Sequence, residues 1–158
     1  MTEEERQQHA AMVIAKNSFF GDLLEEKKPA IPPYDRDKVL ESNELMAGEW
    51  VVASTIRDGV EYNVELLKVK GYEINDIEFE EKHKLSKRKY YAILISEEIL
   101  KKSGFKLFEN VWYKPGVPFT LTKKKDVWAV NQWTIKIKYV HELQTALWLS
   151  KVDNEIIF

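Results

Sequence analysis

The chain contains no cysteine, few glycines or prolines, and no long apolar run. Without cysteine there is no disulfide framework, no thiolate zinc site, no iron–sulfur cluster and no cysteine nucleophile, which fits a reducing compartment. The six glycines (21, 48, 59, 71, 104 and 116) stand singly, so no loop gathers the close-spaced backbone amides that cradle a phosphate. The longest apolar run, Tyr90 to Ile95, has six residues, against the roughly eighteen that a bilayer span needs. The chain starts Met-Thr-Glu-Glu-Glu-Arg, acidic where a signal peptide is basic, so a cytoplasmic location without a membrane partner is expected. His9, His83 and His141 fall in a helix, a charged loop and another helix, and no serine has the strained setting of a hydrolase nucleophile. No metal and no cofactor are expected.

What is present is the material of one mixed domain: 158 residues, 44% of them hydrophobic and 32% charged. Charge is uneven. Residues 1–50 hold eleven acids against six bases, whereas residues 82–125 hold twelve bases against Glu97, Glu98 and Glu109.

Thr2 with Glu5 makes a capping-box pattern, and Met12, Ala15, Phe19 and Leu23 recur at helical spacing, so residues 1–27 read as a helical arm. Docking of that arm on its own domain is favoured, with a second copy or a foreign surface as alternatives. Pro29, Pro32 and Pro33 mark residues 28–42 as a linker. Residues 43–158 then read as a single α+β domain on a twisted antiparallel sheet. Strands are expected at 50–55, 62–66, 76–80, 90–95, 110–114, 118–122, 126–130 and 133–139, with Arg57, Asp58 and Gly59 turning the first hairpin. The phase shift at Leu67 and Val69 suggests a bulge or a strand buried on both faces. Ser96 caps a short helix that Gly104 stops, and a C-terminal helix over 140–150 buries Val140, Leu143 and Leu147.

Four clusters are candidate sites. Lys84, Lys87, Arg88 and Lys89 lead into Tyr90 and Tyr91, and Lys123, Lys124 and Lys125 form a hairpin tip beside Trp128. Lysines neutralise phosphates and aromatic faces stack on unpaired bases, so both fit a nucleic-acid contact of low specificity. A solvated loop beside core aromatics has the same composition, and the scarcity of arginine argues against bidentate reading. His141, Gln144, Thr145 and Trp148 lie on a helix face distinct from Val140, Leu143 and Leu147. There Trp148 is either an interface anchor or, the favoured reading, pinned by its own fold. Asp76, Glu78 and Glu80, placed on one strand face, are a weak candidate for a divalent ion and hence for a small metal-dependent enzyme.

Three segments resemble a group of small proteins from phages, prophages and mobile elements of gut bacteria. Asn43-Glu44-Leu45 with Gly48 and Trp50-Val51 is similar to the group's NELRIGN-W/Y-V opening. Leu94 to Leu100 with Gly104-Phe105 is similar to its IPLTEEWLLKFGF segment, although Ser96 stands where the group has Pro-Leu-Thr. Tyr139-Val140-His141-Glu142-Leu143-Gln144 matches its YVHQLQ segment. The resemblance covers residues 43 to about 150 and implies a phage or mobile-element origin without an activity. The expectation is a non-enzymatic accessory protein, a counter-defence inhibitor or assembly factor, that binds a host or phage macromolecule. A protein partner is favoured over nucleic acid, and the N-terminal helix is a surface through which copies of the chain would also associate.

Overall fold

The computed structural model describes residues 30–83, 88–131 and 135–158. The expected N-terminal helix lies outside them. Two antiparallel sheets and three helices make an α+β body. The first sheet has the order β1-β4-β2-β3, from Tyr34–Val39, Arg88–Ile93, Trp50–Arg57 and Val60–Lys68. The second is a meander of β5 (Lys106–Phe108), β6 (Val111–Tyr113), β7 (Leu121–Lys124), β8 (Val127–Val130) and β9 (Lys136–Ile137). Helix α1 spans Gly71–His83, α2 Glu97–Lys102 and α3 Val140–Leu149. No helix among the described residues is long and apolar enough to cross a membrane.

Local chemistry explains most of these elements. Asp58 and Gly59 take positive φ of 50° and 77°, the mirror-image turn that matches strand twist, and close the β2–β3 hairpin. Asn63, at φ 51°, lies where an extra residue shifts the register between Ala53 and Thr55. At Leu67 the register is regular, and the broken alternation there marks a strand covered on both faces, with Leu66 packed on one core and Leu67 on the other. Ser96 Oγ accepts from the Ile99 amide at 3.2 Å and starts α2. Its end is a Schellman motif: the Phe105 amide bonds the Leu100 carbonyl at 2.9 Å and Gly104 sits at φ 86°.

Three expectations change. Residues 76–80 are not a strand but the middle of α1. The apparent alternation of Ile77 and Phe79 is accidental, because Ile77 is buried while Phe79 is 57% exposed. Glutamate-rich sequence favours a helix and disfavours a strand, and burial of Ile77, with Ile74 three positions away packing beside it, satisfies this short element. Second, the range expected as a linker contains β1, which pairs with β4 from Tyr34↔Ile93 onward. Proline removes a ladder donor only at its own position, and Pro32 and Pro33 precede an edge strand. Third, β5 was not expected. Glu109 and Asn110, at φ 45° and 69°, close its hairpin with β6, so the strand carries the chain one element further back than its short apolar content suggests.

The first sheet is covered on both faces. Val51, Ala53, Tyr90 and Ala92 pack with Leu40, Leu45, Val69 and Ile77 on the α1 side. Val52, Tyr91 and Ile93 face the main core with Trp112, Leu121, Trp128 and Ile137 of the second sheet and Val140, Leu143 and Leu147 of α3. The Trp128 indole Nε1 donates to the Ile95 carbonyl at 3.2 Å and so ties β8 to the chain leaving β4.

Candidate functional site

The residues singled out from sequence separate into structural and surface groups. Lys84 and Lys87 lie outside the described residues. Arg88 is ion-paired with Glu65 and stands over the Tyr90 ring, 5.6 Å from its centroid, and Lys89 is exposed on the same strand. The aromatics beside these cations are core: Tyr90, Tyr91 and Trp128 are 7%, 5% and 2% exposed, so none offers a face to a base. That removes the stacking half of the nucleic-acid reading at the positions where it was expected.

On α3 the expected contact face is mostly interior. Gln144 is buried, accepting from the Trp50 amide at 2.9 Å and donating to the carbonyls of Gly48 and Asn154 at 3.2 and 3.1 Å. Thr145 bonds the buried Glu49 carboxyl at 2.8 Å. His141 is buried against Tyr139. Two of the three resembling segments therefore meet here, Gly48 and Trp50 against Gln144, and their contact is architectural. Trp148 is 54% exposed, not pinned by its own fold. Asp76 and Glu80 share a face of α1, whereas Glu78 points elsewhere, because helix spacing replaces the strand that would have aligned all three. Among the described residues no group of three His, Asp or Glu side chains is placed to hold a metal ion.

Lys123 and Lys125, by contrast, are brought to an open groove of about 590 Å³ between the β1 edge and the β7–β8 hairpin. Tyr34, Asp35, Arg36, Asp126 and Lys138 line it with them, and Trp128, with Lys123 over its ring, forms part of its wall. Asp35 is the organising acid. It accepts from Lys138 Nζ and from Tyr139 Oη, both at 2.8 Å. These bonds, the one from Lys138 foremost, hold its carboxyl down at about 2, and the same carboxylate holds the Lys138 ammonium above its usual range. One of the groove's two acids is thus already neutralised. Lys123 reaches Glu97 at 3.2 Å, Arg36 reaches Glu61 at 3.8 Å, and Lys125 has no ion-pair partner among the described residues. Lys125 also sits at φ 56°, in the left-handed region that a lysine seldom takes. Arg36, Asp35 and Lys138 were invisible as site residues in the sequence: the acid and the lysine that meet are 103 positions apart, and the wet side of an alternating strand is an ordinary place for lysine.

The fold also sorts charge. Residues 30–83, which build three strands of the first sheet and α1, hold thirteen acids and six bases; residues 101–138, which build the second sheet, hold nine lysines and two acids. A second basic surface follows from this. Strand alternation places Lys106, Phe108, Val111, Tyr113, Lys124 and Lys136 on the face of the second sheet opposite the core-facing Trp112, Leu121, Trp128 and Ile137. Phe108 and Tyr113 are 65% and 40% exposed there.

Comparison with protein families, with characterised proteins and with solved structures finds no match.

Proposed function

We propose that this chain is a non-enzymatic accessory protein of a phage or mobile element that works by holding an acidic macromolecule against its basic half. The observation that carries this is the groove at the β1 edge, where Arg36, Lys123, Lys125 and Lys138 converge while Asp35 is held by Lys138 and Tyr139. The three resembling segments support the phage or mobile-element origin. A host or phage protein offering a carboxylate-rich segment is the partner, and counter-defence inhibition or assembly is the role that such a grip serves. Lysine suits this work, since it steers and neutralises without demanding one geometry.

The test is a pull-down with the full chain, followed by titration calorimetry on the partner it identifies. Arg36→Glu with Lys125→Glu reverses two groove charges on exposed side chains and is expected to weaken binding at least tenfold, while Trp148→Ala leaves it unchanged. A double variant that binds as tightly as the native chain removes the groove from consideration.

A further inference from the structure

The groove leaves unused the β5–β6 end of the opposite face of the second sheet, and we infer that this end of the sheet binds single-stranded nucleic acid. Phe108 and Tyr113 present aromatic faces to solvent on adjacent strands. The register pairs Lys106 with Tyr113 and Phe108 with Val111, so the two rings are diagonal neighbours, with backbone positions about 7–8 Å apart by sheet geometry. That spacing exceeds the roughly 3.4 Å rise between stacked nucleotides, so two successive bases seat on the rings only once they are unstacked. A paired duplex cannot offer them.

Charge complementarity names the same occupant. Lys106 pairs with Tyr113 directly, while Lys124 and Lys136 lie on the same face two and four strands from Phe108, at most about 19 Å across the sheet, and none of the three has an ion-pair partner among the described residues. Glu109, at the tip of the β5–β6 hairpin, is the acid nearest to this arrangement in the strand register. Lysines neutralise phosphates as point charges while rings stack on any base, so binding is tolerant of sequence. The basic loop read from the sequence had the correct composition in the wrong place: its aromatics are interior, and the exposed ones lie on β5 and β6. This inference shares with the proposed function only the idea of a binding module, and it uses different side chains.

Fluorescence anisotropy of labelled dT15 and rU15 with the full chain tests it. Saturable binding is expected at 50 mM salt. Three neutralised phosphates give a salt slope of about −2, which corresponds to a roughly 15- to 20-fold loss between 50 and 200 mM. Phe108→Ala and Tyr113→Ala are each expected to cost about fivefold or more, since one stacked base contributes at least that much. Both residues are exposed, and an unchanged melting temperature confirms that the variants fold. Arg36→Glu in the groove leaves oligonucleotide affinity within twofold, which separates this site from the one proposed above. Absence of saturable binding at 50 mM salt overturns the inference, and so does native affinity in the Phe108→Ala, Tyr113→Ala double variant. Displacement of the oligonucleotide by poly-glutamate at equal charge overturns it too, because it assigns the face to acidic proteins.

Discussion

His141 lies in the first turn of α3, 7% exposed, stacked on Tyr139 with 5.7 Å between ring centroids, and its Nδ1 has no hydrogen-bond partner. The charges around it are Glu142 and Glu44, which favour the imidazolium, and Lys38, which opposes it. Burial outweighs them and lowers the pKa below 6.5. The unfolded chain therefore takes up a proton as pH falls through 6.5 and the folded chain does not, so stability declines by about 1.4 kcal/mol per pH unit until the folded value is reached. Glu49 works in the opposite sense. Its carboxyl, 2% exposed, is raised above 4.5 by burial, so its contribution is present at low pH and is lost as pH rises toward the folded value. Urea titrations between pH 7.5 and 4.5 are expected to show a shallower acid limb for His141→Gln, and for Glu49→Gln the loss of a stabilisation that grows as pH falls toward 4.5. Identical slopes in His141→Gln and the native chain would show that another group carries the dependence.

Both well-defined helix ends use the same stop with different residues. At α2 the left-handed position holds Gly104, whose φ of 86° costs glycine nothing. At α3 the Val152 amide bonds the Leu147 carbonyl at 3.2 Å and the Lys151 amide bonds that of Trp148 at 2.9 Å, and the left-handed position, φ 56°, is filled by lysine. The same backbone geometry without a glycine carries a steric cost. Lys151→Gly is accordingly expected to stabilise the protein by roughly 1 kcal/mol and Gly104→Ala to destabilise it by about the same amount. Nothing crowds the new methyl beyond 3.6 Å from Lys114 Cε, so backbone conformation alone decides the second case. Equal and opposite shifts in denaturation midpoint check the pair; a Lys151→Gly variant no more stable than the native chain contradicts the strain. These stops were readable in sequence at Gly104, where the residue type declares the geometry, and unreadable at Lys151, where it does not.

At the scale of the whole molecule, Trp128 joins the two sheets: its ring packs edge-on to Trp112 at 6.3 Å between centroids, and its Nε1 bonds the Ile95 carbonyl. Trp128→Ala is expected to cost about 3–5 kcal/mol and to leave one unfolding transition, because Val52, Ile93 and Leu143 share the same core. Two separated transitions in calorimetry would instead make the sheets independent units. The sequence by itself determined the hairpin at Asp58-Gly59, the capped α2, the apolar stripe of α3 and the α+β class, since each rests on residues a few positions apart acting through local backbone preference. It misplaced residues 76–80, where a Glu-rich helix mimicked alternation for five residues. It missed β1, whose Tyr34–Val39 has no apolar pattern and is held by pairing with β4. Only the tertiary structure decided that Tyr90, Tyr91 and Trp128 turn inward while Phe108 and Tyr113 turn outward, and that Asp35 meets Lys138. Which face of a strand is buried is settled by what packs on it, and that partner comes from distant chain.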